Sequence, residues 1–305
     1  MFEDPNSAKA VPARRWTLQV DRAYGHVRGR AGETAALVTI AVALTITYWD
    51  VGARLARQWV DDSNYSHGVL IGPLALLFAW QRRAALREVP RQPSAWGLVV
   101  TLASLSMLVA GKLSAELFLA RASLIGVLAG ATLFLLSPRH LRLLAFPLAF
   151  LFFMIPLPTL VFNQIALPLQ LVASQVGEVA IRVAGVPVLR QGNILELAPM
   201  RLEVAEACSG IRSLVSLMAC AVVVARFGSM RHRDMALLVA ATIPVAIGTN
   251  AMRVAITGLS AHFLGRGAAE GFFHTFSGPV VFTVAISCLL VLDRRLRPAG
   301  TGAAS

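Results

Sequence analysis

Long apolar runs constrain the fold of this chain more than any other feature. Runs of roughly 17–25 apolar residues are long enough to cross a hydrocarbon core of about 30 Å. Such runs predict about eight spans, near residues 34–49, 67–81, 95–111, 117–136, 141–158, 210–226, 235–256 and 273–292. Charged residues make up only 14% of the sequence, against about a quarter in a soluble domain. The sequence therefore predicts an all-α polytopic membrane protein.

The basic residues orient these spans. They fall in short clusters between the apolar runs, so the net charge of +12 indicates membrane topology, and no nucleic-acid partner is expected. More than half of the 28 basic residues lie in the two tails and in alternate loops, which the positive-inside rule assigns to the cytoplasm. We therefore expect a basic cytoplasmic tail over 1–33, a single membrane domain over 34–293 and a cytoplasmic C-terminal tail over 294–305.

The only long extracytoplasmic segment is predicted between the fifth and sixth spans, at about 159–209. Its first part, through Gly185, has polar residues spaced three to six apart, which favours an amphipathic helix on or dipping into the interface. Its second part alternates apolar and polar residues over 200–205 and has turn signals at Gly192-Asn193 and Ala198-Pro199. This pattern predicts a small β-hairpin before the sixth helix.

Three residues with catalytic chemistry are predicted at the outer face. Cys208 opens the sixth span, Arg253 returns to the outer end of the seventh after a basic cytoplasmic loop, and His274 starts the eighth. A thiolate, a histidine that handles the proton and a guanidinium that stabilises an oxyanion together suit acyl transfer. The spacing therefore predicts a cysteine enzyme, provided that the three side chains meet.

Five further residues are candidates for supporting or substrate-binding roles. Asn250 precedes Arg253 by three residues on the same helical face, so it can orient that arginine or the substrate. Glu206 would raise the pKa of a neighbouring thiol, and Arg253 and His274 must outweigh it. The remaining candidates are Ser209 in the turn after the cysteine, Arg212 one helical turn further on, and His67 at the outer start of the second span.

Each of these residues also has a plainer interpretation. A cysteine in a membrane span is most often inert packing, as we expect for Cys220 and Cys288. An arginine at a span end often only snorkels to the interface, and an interfacial histidine such as His67 can be structural. Two other functions thus remain open, a polytopic transporter and a non-catalytic subunit of an exopolysaccharide export system.

The cysteine spacing predicts neither a disulfide framework nor a metal site, and no metal or cofactor is expected. The sequence also lacks the His-Glu-x-x-His of zinc proteases and the Gly-x-Ser-x-Gly of rhomboid-type serine enzymes. If the chain is a protease, these patterns favour a thiol mechanism.

Several segments resemble the signature blocks of the exosortase/archaeosortase family. They are EACSGIRSL at 206–214, Asn250-x-x-Arg253-Val254, and His274-x-x-x-Gly278, with weaker landmarks in YSHG at 65–68 and FMIPLP at 153–158. The similarity extends from about residue 60 to 290. The histidine resembles the bacterial branch, since arginine is usual at this position in the archaeal branch.

The resemblance implies a function and a location. Members of this family are polytopic cysteine proteases or transpeptidases, thought to process exported proteins that carry a C-terminal sorting signal. That signal is a short motif such as Pro-Glu-Pro, a transmembrane helix and a basic cluster. By resemblance, Cys208 is the nucleophile, Arg253 the sortase-like arginine and His274 the histidine. We therefore expect a bacterial inner-membrane enzyme with its site on the periplasmic face, membrane-anchored protein substrates and an acceptor nucleophile of unknown identity.

Overall fold

A computed structural model of the chain describes residues 13–62, 64–198, 200–204, 210–228, 230–265, 267 and 274–297. For residues 13–31, 33, 36–37, 210–212 and 274–275 it describes the backbone only. The chain forms two compact units, residues 1–53 and 54–305. In its described part the first unit is helical, and the second contains the sheet and the remaining helices.

The described chain is mostly helical, as the apolar runs predict. Its helices are α1 (Ala13–Asp61), α2 (Gly68–Gln81), α3 (Arg83–Glu88), α4 (Trp96–Leu113), α5 (Leu117–Leu135), α6 (Pro138–Phe150), α7 (Thr159–Val183), α8 (Gly210–Phe227), α9 (His232–Leu264) and α10 (His274–Leu296). A 3-10 helix, Leu151–Met154, follows α6 directly.

Six helices of the described chain are long and apolar enough to cross a membrane. They are Val38–Asp61, Trp96–Leu113, Leu117–Leu135, Thr159–Val183, His232–Leu264 and Phe276–Leu296. Two shorter apolar helices, Gly68–Gln81 and Ser213–Phe227, coincide with the predicted second and sixth spans. The protein is therefore a multi-pass membrane protein, while the number of eight spans and their sidedness stay predictions.

Two segments differ from the expectations. The predicted fifth span, 141–158, is broken: α6 ends at Phe150, and the 3-10 helix that follows it ends at Met154. Ile155 is extended, because the residue before a proline disfavours the helical conformation and Pro156 comes next. The segment expected to be an interfacial amphipathic helix is α7, which has 25 residues and is apolar enough to be a candidate span itself.

A three-stranded antiparallel sheet, rather than the expected two-stranded hairpin, follows α7. Its strands are β1 (Val188–Gln191), β2 (Ile194–Leu197) and β3 (Met200–Glu203), in that spatial order. The β1–β2 turn places Gly192 at φ +66°, a left-handed conformation that glycine adopts without strain. The alternation predicted for the last strand is confirmed, since Leu202 and Val204 are buried while Arg201 and Glu203 are exposed.

The buried face of the sheet packs on α7 and α9. Ile181, Leu195 and Val204 are all 0% exposed and belong to one apolar cluster with α9 residues such as Val254. The α7–α9 contact is close, since a methyl group added at Gly177 would lie 2.6 Å from Val254 Cγ1. Small residues allow such backbone approach between helices in membrane proteins.

Polar contacts also attach the sheet to α7. Glu178 forms ion pairs of 2.9 Å with both Arg182 and Arg190. The Ser174 hydroxyl donates to the Gly192 carbonyl at 2.9 Å. Because these bonds join two turns of α7 to β1 and its turn, they hold the sheet in a fixed position at this end of the bundle, which we call the sheet end.

The length of α9 separates the two ends of the bundle. It has 33 residues, which correspond to about 50 Å at 1.5 Å per residue. α9 begins at the end of the bundle where α2, α8 and α10 also end, which we call the arginine end. Near the other end of α9, Gly258 packs against Ile181 and Leu197. A hydrocarbon core of about 30 Å is shorter than this helix, so α9 extends beyond the bilayer on at least one side.

Candidate active site

Arg253 contacts the first turn of α10. Its Nε donates a hydrogen bond to the Ser277 Oγ at 3.1 Å, and a Cβ added at Gly278 would lie 3.8 Å from its Nη2. Ser277 is buried, whereas Arg253 is half-buried. The guanidinium is therefore held against α10 with one edge fixed, rather than extending freely from α9.

The depth of Arg253 follows from helix geometry. It lies 21 residues after His232 (253 − 232), which places it about 32 Å along α9. This distance matches the thickness of the hydrocarbon core, about 30 Å. If α9 enters the bilayer near its first residues, Arg253 lies at the opposite interface, where an arginine can stay charged.

Asn250 occupies the turn of α9 before Arg253 and is buried, with 6% of its surface exposed. Residues three apart on a helix share a face, so the amide lies on the Arg253 side of α9. A buried amide needs hydrogen-bonding partners, which makes Asn250 suited to fixing groups that approach this face.

His274 and Arg212 are described by their backbones alone. His274 is the first residue of α10, one helical turn before Ser277, and these two positions share a face. Since Arg253 bonds to Ser277, the structure brings the Arg253 side chain to the turn of α10 that begins with His274. Arg212 lies in the first turn of α8.

The described residues end at Val204 and resume at Gly210, so Cys208, Glu206 and Ser209 lie outside them. The roles predicted for them, and the meeting of the thiol with Arg253 and His274, therefore stay predictions.

His67 connects three elements through both ring nitrogens. Its Nε2 is 3.1 Å from the Phe153 carbonyl and its Nδ1 is 3.2 Å from the Ser216 hydroxyl. A carbonyl only accepts, so Nε2 carries the hydrogen and Nδ1 accepts from Ser216. This is the arrangement of the neutral ring, with one nitrogen donating and the other accepting. These contacts favour a structural role for His67, because neither nitrogen is left for a substrate.

An apolar cavity of about 300 Å³ lies beside the His67 contacts. The α1–α2 connection, the segment after α6 and the N-terminal halves of α7 and α8 form its walls. It is lined by Asn64, Tyr65, Phe152, Phe153, Ile155, Leu157, Phe162, Ile165, Leu214, Val215 and Met218. Burial, and to a lesser extent the nearby Asp62 carboxylate, raises the pKa of Tyr65, so its phenol remains protonated.

Sequence reasoning did not identify Ser277, Ser216 or the cavity. Ser277 and Ser216 lie in apolar helices, where serines commonly bond to their own helix backbone. The one available signal for Ser277 is its position one turn after His274. No local pattern indicates Ser216, since its partner His67 is 149 residues away in the chain.

One known protein family matches most of the chain. Residues 59–291, more than two-thirds of the chain, match the family model described as transmembrane exosortase (Exosortase_EpsH). Neither a search of curated proteins nor one of solved structures returned a match. The matched region runs from the end of α1 into α10, and it includes the sheet and the helices between these two. This chain therefore belongs to the transmembrane exosortase family.

Proposed function

We propose that this protein is a membrane-embedded cysteine protease or transpeptidase that cleaves C-terminal sorting signals of exported proteins. Its substrates would carry a motif of the Pro-Glu-Pro type followed by a transmembrane helix and a basic cluster. The observation that carries the proposal is the hydrogen bond from Arg253 to Ser277. It joins two of the three predicted catalytic segments at one level of the bundle.

In the proposed reaction, His274 takes the proton of the Cys208 thiol, and the resulting thiolate attacks the carbonyl carbon of the scissile peptide bond. Arg253 stabilises the negative charge that develops on the carbonyl oxygen. The carbon–nitrogen bond then breaks, and His274 gives a proton to the leaving amine, which departs with the substrate's helix-bearing tail. The remaining thioester is resolved by an acceptor, an amine for transfer or water for hydrolysis, which restores the thiol.

The location of the site supports this substrate class. A substrate with its own membrane helix diffuses in the same bilayer, which raises its effective concentration at a site near the interface. We place the site at the sheet end of the bundle, on the periplasmic face of a bacterial inner membrane. Both termini would then be cytoplasmic.

The test is the processing of an epitope-tagged host protein that carries such a signal, in cells that express Cys208→Ala. We expect the substrate to stay full-length. The matched control is Cys288→Ala, because Cys288 is exposed on α10 and should be dispensable. Normal processing by Cys208→Ala at equal expression would reject the mechanism. Retained transport activity in that variant would favour the alternative functions, a transporter or a subunit of an export system.

A further inference from the structure

A ring cluster fixes the relative positions of three helices near the arginine end. The Phe78 ring of α2 lies 5.1 Å from Phe146 of α6 and 5.7 Å from Phe227 of α8, between ring centroids. Such aromatic pairs contribute about 0.5–1.5 kcal/mol beyond their buried area. The ends of α2 and α8 are therefore held together by packing that involves no charged residue.

Two arginines meet beside this cluster. Arg226, in the last turn of α8, places its guanidinium carbon 5.6 Å from the centroid of Phe146. Arg82, the residue after α2, follows Phe78 by four residues and so lies one helical turn beyond the ring that contacts Phe146 and Phe227, where its positive charge opposes that of Arg226. The helix packing thus imposes a repulsion between two like charges.

No described carboxylate forms an ion pair with Arg82 or Arg226. Another arginine at the same end of the bundle does have a carboxylate partner. Arg297, which packs against Gly228, pairs with the Asp293 carboxylate at 2.7 Å. Arg82 and Arg226 have no such compensation within the described part of the chain, so this site favours an anion.

Exposed aromatic rings lie at the ends of both helices, next to Arg226 in the chain on α8 and in the last turn of α2. Phe227 is 54% exposed and Trp80, in the last turn of α2, is 63% exposed. The Arg83 guanidinium lies 5.0 Å from the centroid of the Trp80 ring. Tryptophan and basic residues at the ends of apolar helices are typical of the membrane–water interface. An anion that binds here would therefore have hydrocarbon beside it.

We propose that Arg82 and Arg226 bind the phosphodiester headgroup of an anionic phospholipid, with an acyl chain against the exposed Phe227 ring. Guanidinium groups bind phosphate oxygens through several directed donors. Basic pockets between helix ends are known to bind anionic headgroups. This proposal does not depend on the function proposed above, because it concerns the opposite end of the bundle.

The test is native mass spectrometry of the purified full chain in detergent, with phosphatidylglycerol and phosphatidylcholine of identical acyl chains. Each arginine near a membrane surface contributes roughly a fivefold preference for anionic lipid. We expect the wild type to retain phosphatidylglycerol preferentially, by about 25-fold. Arg82→Gln should reduce this preference by about fivefold, and Arg82→Gln with Arg226→Gln should abolish it. Arg87→Gln, which removes the same charge from the exposed end of α3, should leave it unchanged.

Three results would overturn the proposal: equal retention of phosphatidylcholine by the wild type, an unchanged preference in the double variant, or displacement of the lipid by an equal concentration of glycerol phosphate. The last would show a site for a soluble anion. Should the double variant not elute as a single species, Arg82→Gln decides the question alone, since Arg82 is exposed at a helix end.

Discussion

The bond between Arg253 and Ser277 leads to a prediction about Ser277→Ala. This change removes the acceptor for Arg253 Nε while leaving the arginine in place. A hydrogen bond with a charged donor contributes about 1.5–3 kcal/mol. The lower figure applies here, because 3.1 Å is long for a charge-assisted bond and Arg253 has further interactions. About 1.5 kcal/mol lost from the positioning of Arg253 corresponds to processing about tenfold slower.

The measurement is the rate at which a tagged substrate is converted in pulse–chase experiments, at equal enzyme expression. Arg253→Gln sets the scale, since loss of one oxyanion donor slows reactions by about 10²–10³-fold. Ser277→Thr keeps a hydroxyl and should recover most of the rate. The matched control is Ser287→Ala, the same substitution on α10, where the hydroxyl bonds only within the helix, to the Thr283 carbonyl. The reasoning fails if Ser277→Ala processes substrate at the wild-type rate while Arg253→Gln does not.

A further prediction concerns stability. Ile181→Ala, in the cluster between the sheet and α9, should lower the free energy of unfolding by about 2–5 kcal/mol, measured as the shift of the melting temperature in detergent. Val183→Ala, 83% exposed on the same helix, is its control, and equal shifts would contradict the packing described.

The sequence was a good guide to helices that are both long and apolar. The predicted spans 95–111 and 117–136 correspond to Trp96–Leu113 and Leu117–Leu135. Hydropathy reports the free energy of moving a segment into lipid, a property that each segment has by itself. It failed for 141–158, where α6 ends at Phe150 and the chain turns extended at Ile155, before Pro156, although the run stays apolar.

The spacing of polar residues predicted that α7 is a helix but not which partners those residues have. Its regularly spaced polar residues suggested an interfacial helix, yet two of its polar side chains serve the sheet: Ser174 bonds to Gly192, and Glu178 pairs with Arg190. These partners lie 12–18 residues away, beyond the helical periodicity from which the prediction was made. The third strand was missed for a related reason, since short strands depend on cross-strand partners more than on local propensity.

At the candidate site, chain order and loop charge predicted that Arg253 and the start of α10 share one level. The structure supplies what joins them, the Ser277 hydroxyl, and shows that His67 is engaged on both nitrogens. A sequence read along the chain has no signal for a bond between two helices, because the bond depends on their rotation and crossing. The sequence by itself determined that the chain is a multi-pass helical protein with a cysteine, an arginine and a histidine in the family's order. Only the tertiary structure decided which side chains orient the arginine and which arginines are left to bind an anion, because packing sets the distances between helices.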